Sequence, residues 1–297
     1  MPSAARDTGP SNVFLTLDGV KCGRVGSARG GAISAEIVVQ SPNGGFAKKH
    51  VAGPRYEPFT VDVGLEMAKP VFDWVADFWK GSVEHKTGSL VSVDYKLDAK
   101  SEREFVDAVL LETRLPRLDS AAKERGFVSL TLAPELTKTK KGSGKVEAAA
   151  AAKTKQWLLS NFRLQIDGLD CTKVSKIEPI AVRREQPSSS GDPFDFSSES
   201  GPLQFSDLAV TFSEVTAKSW LDWHDDFVVK GNNDDSQERT GTILLLMPDL
   251  KTELARVKLF GLGIYRIAPE TDGTAQQPGR LEARLYCERM ELQVKTP

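Results

Sequence analysis

The chain has 297 residues, of which 40% are hydrophobic and 27% charged, and its formal net charge at pH 7 is −2. This composition is typical of a globular protein that is long enough for two domains. It excludes a global electrostatic attraction to nucleic acid or anionic lipid, and no apolar run reaches the roughly 20 residues of a membrane-spanning helix. The N-terminal residues lack an apolar core, so no signal peptide is expected.

The first ten residues predict a flexible N-terminus, and the first regular element follows at residues 11–25, SNVFLTLDGVKCGRV. The Asp18-Gly19 pair within it is a strong hairpin signal, because both residue types accept the positive φ angles of a two-residue turn. Residues 28–59 then hold two β-capable runs on either side of a Pro-Asn-Gly-Gly turn. They predict a long projecting hairpin.

A helix is predicted at residues 68–78, AKPVFDWVADF. Proline is favoured in the first helical turn, and the apolar residues of this stretch recur at the spacing of one helix face. Alternation of apolar and polar residues predicts strands at 91–97 and 127–132. The Lys- and Ala-rich segment 137–156 predicts a solvated linker, which ends a first domain at residues 11–136.

The second part of the chain repeats the first at an offset of 149 residues. Residues 160–174, SNFRLQIDGLDCTKV, match residues 11–25 and predict a second hairpin at Asp167-Gly168. Residues 217–227, AKSWLDWHDDF, match the predicted helix at six of eleven positions. Two blocks that share one offset indicate a tandem duplication, whose second domain is residues 157–297. The structural anchors of this repeat are Asp18, Gly19, Trp74, Phe78, Asp167, Gly168, Trp223 and Phe227.

Three further features of the second copy bear on its fold. Its helix is predicted to place Trp220, Leu221, His224, Phe227 and Val228 on one apolar face. Strands are predicted at 242–247 and 281–288, and YRIAP at 265–269 echoes TRLP at 113–116 with an offset of 152. Residues 184–205 are rich in Ser, Pro and Gly and predict a loop. The first copy is therefore expected to keep a β hairpin that the second copy lacks.

No motif predicts a catalytic, cofactor or metal site, and we do not expect the chain to be an enzyme. His50 and His85 fall in a hairpin arm and a loop, and His224 takes the place of Val75 on the helix face. Aspartates recur at i, i+4 on each helix, which is typical of a solvated face. Cys22, Cys171 and Cys287 predict structural thiols in a reducing compartment rather than a disulfide framework.

The repeated pattern resembles the tube proteins of bacteriophage contractile tails and related injection systems. In the second copy the resemblance lies in FRLQIDGLDCTKV, LAVTFSEVTAKSWLDWHDDF, TGTILLLMPD, ARVKLFGLGIYRIAPE and GRLEARLYCERMEL. In the first copy it lies in VFLTLDGVKCGRV, FTVDVGLEMAKPVFDWVADFWKG and TRLPRL. The resemblance implies a mainly β fold with two tandem tube-type antiparallel β-barrel or sandwich domains, each with one packed α-helix. An ordinary tube subunit has one such domain.

The resemblance also implies a function. Tube subunits form hexameric rings whose sheets join edge to edge, and the rings stack inside a contractile sheath. Three tandem chains would supply a pseudo-hexameric ring of an inner tube, without a cofactor or a membrane contact. The implied partners are further copies of the chain, the sheath, the baseplate hub, and cargo or DNA passing through the lumen. Assembly is expected in the bacterial cytoplasm, into a virion tail or an injection particle.

Three alternatives stay open from the sequence. A baseplate hub or tube initiator would use two tube-like domains to match a six-fold tube to a three-fold spike. One chain could also span two stacked rings, because the predicted linker is long enough. In a different class, the chain would be a tandem β-sandwich module that binds a peptide or a sugar.

Overall fold

The computed structural model describes residues 12–41, 46–146, 156–185, 201–272 and 275–295. We call residues 12–146 the first half and residues 156–295 the second half. The predicted flexible N-terminus, residues 1–10, lies outside the described residues. The described chain is mainly antiparallel β-sheet with one α-helix in each half, in agreement with the predicted fold class.

Most regular elements of the first half recur in the same order in the second half. The first half contains β1 (Val13–Leu17), β2 (Val20–Val25), β3 (Ser27–Gly30), β4 (Ile33–Gln40), β5 (Lys48–Tyr56), β6 (Phe59–Val63), α1 (Lys69–Trp79), β7 (Lys86–Val93), β8 (Ala99–Leu115), β9 (Leu118–Asp119), β10 (Val128–Ala133) and β11 (Leu136–Lys141). The second half contains β12 (Phe162–Ile166), β13 (Val174–Ile177), β14 (Ile180–Arg184), β15 (Leu203–Phe205), β16 (Leu208–Ser213), α2 (Lys218–His224), β17 (Arg239–Leu246), β18 (Glu253–Asp272) and β19 (Ala275–Val294).

The strand order is also the same in the two main sheets, apart from β2, which has no counterpart in the second. The first sheet runs β2-β1-β7-β8-β10-β6-β3, and the second runs β12-β17-β18-β19-β16-β13 with β9 of the first half at its end. In each sheet alternate side chains point inwards, so that Leu130 and Leu132 of β10 and Ala283 and Leu285 of β19 are buried. β19 corresponds to β10 and β11 together.

A close backbone approach recurs at one place in both sheets. β7 passes β1 at Gly88, and β17 passes β12 at Gly241. A Cβ atom on Gly88 would lie 2.1 Å from the carbonyl oxygen of Thr16, and one on Gly241 would lie 2.8 Å from that of Gln165. Only glycine fits such an approach. The two halves therefore share a steric constraint outside the blocks that revealed the repeat.

Helix α1 forms where it is predicted. Pro70 lies in its first turn, where a missing N–H costs no intrahelical hydrogen bond. Six apolar side chains of the helix are buried, namely Val71, Phe72, Trp74, Val75, Phe78 and Trp79.

The predicted apolar face of α2 is only partly right. Trp220 and Phe227 are buried, but Leu221 is 46% exposed and Val228 is 42% exposed. His224 is half-buried at the end of the α-helix. The chain continues from there as a π-helical turn, Asp225–Val229, whose i→i+5 hydrogen bonding adds a residue to the turn and rotates the following side chains around the axis. The outer face of α2 and of this turn carries exposed apolar and charged side chains side by side.

The two Asp-Gly pairs have different outcomes. Asp18 and Gly19 both have positive φ angles, 46° and 79°, and they connect β1 to β2 as a two-residue hairpin turn. Gly168 also has a positive φ, of 73°, but residues 169–173 turn back instead of forming a strand. The predicted hairpin is thus confirmed in the first half and is wrong in the second.

Two boundaries differ from the sequence prediction because local hydrogen bonds override the alternation. β7 ends at Val93, since the Asp94 carboxylate accepts the N–H groups of Lys96 and Asp98 and closes a turn. The predicted linker starts with a strand, β11, which pairs with β8. Its lysines suit an exposed sheet edge, and Lys140 pairs with acidic side chains of β8. Residues 147–155 lie outside the described part of the chain.

The prediction that the second half lacks a hairpin is wrong. β14 pairs with β15, with Val182 opposite Phe205 and Arg184 opposite Leu203. The loop prediction for 184–205 failed at its ends because it did not include the apolar run Ile180-Ala181-Val182 that precedes it. Residues 186–200, the Ser- and Pro-rich part, lie outside the described residues.

Candidate assembly interface

The two halves exchange strands with each other. β14 of the second half pairs antiparallel with the end of β8 in the first sheet, with Ile180 opposite Leu115 and Val182 opposite Thr113. In return, β9 of the first half pairs with β13 at the edge of the second sheet. Each half therefore continues the sheet of the other through backbone hydrogen bonds.

The long strand β8 makes this exchange possible. Its first part lies between β7 and β11, whereas its last residues lie beyond the end of β7 and would form an open edge. β14 covers that edge, and the side chains of Val182 and Thr113 are both 0% exposed. Pairing an edge strand with a neighbouring strand satisfies its free backbone N–H and C=O groups and removes them from solvent. The contact is therefore part of the folded core.

A side-chain contact joins the same hairpin to α1. Two N–H groups of Arg184 reach the end of the helix, where they donate to the carbonyl oxygens of Gly81 at 3.1 Å and Ser82 at 3.0 Å. The guanidinium carbon also lies 5.4 Å from the centre of the Phe78 ring. A cation at a helix C-terminus interacts favourably with the helix dipole. Burial lowers the pKa of Arg184, which nevertheless stays protonated in this position.

Helix α1 also packs against β19 of the second half. The helix is consequently enclosed between its own sheet and the neighbouring half. Phe72 and Trp79 of the helix are buried, and the Trp79 indole donates to the Thr113 hydroxyl of β8 at 2.7 Å. The contact completes an interface built from one hairpin, one sheet edge and one helix.

The first half carries the same hairpin without a partner sheet. Glu57 donates its backbone N–H to the carbonyl of Ala32, and Ser206 donates its backbone N–H to the carbonyl of Ala181, so that β4 and β5 correspond to β14 and β15 at an offset of 149. In the described chain, however, β4 and β5 pair only with each other. Ile33, which corresponds to the buried Val182, is 56% exposed.

The second half carries the same sheet edge without a partner strand. β17 pairs with β18 as far as Leu262, and β19 continues alone on the other side of β18. β8 and β18 both have a bulge at corresponding places, after Leu110 and after Ile264. Counted from these bulges, Thr113 corresponds to Ile267, an offset of 154 residues. The comparison of TRLP with YRIAP in the sequence had indicated an offset of 152. Residues 266–269 of β18 therefore have one free side among the described strands.

The anchor aspartates tie the first strand of each half to its neighbour. Asp18 exchanges hydrogen bonds with the backbone of Thr87, and the carboxylate of Asp167 accepts the hydroxyl of Thr240 at 2.5 Å. Gly19 and Gly168 complete the two turns with positive φ angles. These anchors hold β1 and β12 in register and do not lie at the interface.

The anchor aromatic residues are core residues. Trp74 and Trp223 are 2% and 5% exposed, and Phe78 and Phe227 are buried one turn further along. The indole of Trp74 donates to the carbonyl of Glu84 at 3.1 Å. That of Trp223 has no hydrogen-bond acceptor within the described residues, and the Arg239 guanidinium stacks on its ring at 4.6 Å.

The remaining polar candidates from the sequence stay apart. In the part of the chain that the structure describes, no three His, Cys, Asp or Glu side chains are grouped to hold a metal ion. All three cysteines are free thiols, and burial raises the pKa of Cys171 and Cys287 to about 11. None of the described helices is long and apolar enough to cross a membrane.

No protein-family model and no curated protein matches this chain. Three solved structures are similar to about half of it. A chain of the six-fold symmetrised anti-feeding prophage baseplate is 9% identical with a TM-score of 0.37, and the match covers 47% of this chain and 98% of that chain. A chain of the tube-terminating cap of the anti-feeding prophage is 14% identical with a TM-score of 0.40, and the match covers 48% of this chain and 96% of that chain. A chain of the extended sheath–tube complex of an extracellular contractile injection system, PVC, is 16% identical with a TM-score of 0.40, and the match covers 44% of this chain and 89% of that chain.

Proposed function

We propose that this chain is a tandem-duplicated structural subunit of a contractile phage-like tail, and that three copies form a pseudo-hexameric ring of its inner tube. The observation that carries the proposal is the insertion of β14 into the first sheet beside β8. The contact joins two similar halves edge to edge within one chain. Repeating the same contact between chains gives a ring in which first and second halves alternate.

The contact between chains follows from the contact within the chain. Because β4 corresponds to β14 and β18 to β8, the equivalent pairing sets Ala32 opposite Ala268 and Ile33 opposite Ile267 of the next chain. Both elements are available, since Ile33 is exposed and this part of β18 lacks a second neighbour in the described structure. A heterologous contact of this kind closes into a ring if the rotation between units is right.

Ring closure would remove the two features of the single chain that are hazardous in solution. An exposed hairpin with apolar side chains and an open sheet edge are both templates for uncontrolled aggregation. β4 and β5 expose Ile33, Ile37, Val38, Val39 and Val51. The stacked rings would then contact a sheath around them, a baseplate hub at one end, and cargo or DNA in the lumen.

Negative-stain electron microscopy combined with mass photometry tests the proposal. We expect ring-shaped particles with three times the 32.5 kDa mass of the chain, with six similar lobes, that stack into tubes at higher concentration. Three-chain rings that never stack would instead favour a hub or tube initiator. A particle that stays at the mass of one chain at all concentrations would contradict a ring function of either kind.

A further inference from the structure

Strand β12 has one open side, whereas its counterpart β1 has none. β1 pairs with β7 on one side and with β2 on the other. β12 pairs with β17, and within the described residues no strand lies on its other side. The cause is the segment after Gly168, which turns back where the first half continues as β2. The second sheet therefore ends in a free edge that the first sheet covers with its own chain.

Backbone hydrogen-bonding groups point out of this free edge. The carbonyl of Asn161 and the N–H of Asp167 both bond to β17. In an antiparallel pair alternate residues bond to one neighbour, so the N–H and C=O groups of Phe162 and Leu164 point to the other side. The carbonyl of Ile166, next in this series, already accepts the N–H of the turn that follows, at 3.1 Å. Two consecutive outward-facing residues of β12 are thus left without a strand partner among the described residues.

A groove of about 620 Å³ lies along the same edge. It is lined by β12, by the turn after Gly168, and by Leu246 and Leu250 between β17 and β18. Leu169 and Val174 in its wall are half-buried, and Leu250 is 49% exposed. A groove with apolar side chains beside unpaired backbone groups suits an extended polypeptide strand, because main-chain hydrogen bonds supply affinity and side chains fill the groove. The free edge of β12 is therefore a candidate site for β-augmentation.

The first half carries an exposed strand that fits such a site. Ile37, Val38 and Val39 of β4 are 60%, 44% and 53% exposed, and in the described chain they pair only with β5. β-Branched residues are favoured in strands, and an exposed edge that they form is a template for pairing with another chain.

The contact proposed for the ring does not use this part of β4. By the count that sets Ile33 opposite Ile267, Val38 would meet Leu262 of β18. Leu262 already lies opposite Arg239 of β17, so β4 cannot pair with β18 that far. Each chain consequently has one unused strand segment, in its first half, and one open edge, in its second half.

We propose that residues 37–39 of β4 add to the open edge of β12 in a second copy of this chain, and that this β-augmentation stacks one ring on the next. The inference rests on the proposed function, because it assigns the β4–β18 contact to the ring and the β4–β12 contact to successive rings. One donor strand and one acceptor edge per chain let every chain make both contacts. A heterologous contact that does not close continues from ring to ring as a tube.

Hydrogen exchange of the wild-type chain, compared between unstacked rings and tubes, tests the acceptor edge. We expect the amides of Phe162 and Leu164 to exchange about tenfold or more slowly in tubes, because their N–H groups become hydrogen-bonded there. Val13 and Leu15 of β1 are the matched control, since β2 covers them in both states and their exchange should not change. Tubes in which Phe162 and Leu164 exchange as fast as in rings would overturn the inference and leave the ring intact.

A charged hairpin tests the donor strand. Val38→Lys with Val39→Lys places a charge on each face of β4, at positions that are exposed in the single chain. We expect this double variant to form three-chain particles in mass photometry, and to show no tubes in negative stain at concentrations where the wild type stacks. Val20→Lys with Val215→Lys adds the same charge at exposed positions outside both contacts and should stack normally.

The outcomes separate this inference from the proposed function. Tubes formed by Val38→Lys with Val39→Lys would overturn the inference, because the edge of β12 would then have another occupant or none. A wild type that forms three-chain rings and never stacks would overturn it too, without affecting the ring. If the wild type forms no ring, both proposals fail.

Discussion

Replacing Trp74 by alanine is expected to lower the free energy of unfolding by about 3–5 kcal/mol, the range for a buried large aromatic residue. The side chain is 2% exposed, and its N–H donates to the backbone carbonyl of Glu84 at 3.1 Å. Trp223→Ala is expected to cost about 3 kcal/mol, near the lower end of the same range, because its N–H lacks an acceptor among the described residues. Denaturant unfolding followed by circular dichroism, at a concentration where single chains prevail, measures both.

A matched control for the tryptophans lies on the same helix. Leu221 is 46% exposed, so Leu221→Ala is expected to change the unfolding free energy of the single chain by less than about 1 kcal/mol. An unchanged unfolding midpoint for Trp74→Ala would show that α1 does not pack as described.

Ile33→Asp is expected to abolish ring assembly while the single chain keeps its fold. In the single chain the side chain is 56% exposed, so an aspartate there stays hydrated. In the ring the same carboxylate would be buried opposite Ile267 without a partner, at a cost of several kcal/mol per junction. Mass photometry should show single chains over the range in which the wild type forms three-chain particles.

Val20→Asp provides the comparison, because Val20 is 44% exposed on β2, outside the proposed junction. It should assemble normally. Intact rings with Ile33→Asp would mean that β4 does not enter the sheet of the next chain. Rings lost in both variants would instead point to a general effect of added negative charge.

The sequence predicted the local structure where short-range patterns decide it. Pro70 and the apolar spacing predicted α1, and the two β-capable runs predicted the β4–β5 hairpin. The same reasoning missed β11, because alternating Lys and Thr residues are typical of a solvated linker. They form a strand here because they pair with β8. It also missed β14, whose strand character comes from its contact with the first sheet.

The assembly interface could not be predicted from the sequence because it depends on non-local pairing. Nothing in Ile180-Ala181-Val182 identifies Thr113 as its neighbour. The repeat offset changes along the chain, and only the strand pairings show that Lys138 and Glu291 occupy one position. The repeats predicted two similar units, whereas the structure provided the contact between the two halves.

Disulfide cross-linking between chains tests the central claim most directly. Directly opposed residues in an antiparallel pair lie within the Cα distance that a disulfide spans, so Ala32→Cys with Ala268→Cys in one chain should link neighbouring chains in a ring. The buried native Cys22 and Cys287 should not interfere. Ala181→Cys with Arg114→Cys, the corresponding pair within one chain, is the positive control.

The readout is a non-reducing gel after mild oxidation. We expect the Ala32–Ala268 pair to give covalent dimers and trimers, and the control pair to give a cross-link within a single chain. Either cysteine alone should give neither product. If the control pair oxidises and the Ala32–Ala268 variant stays a single chain, the halves do not meet through β4 and β18, and the ring proposed here is wrong.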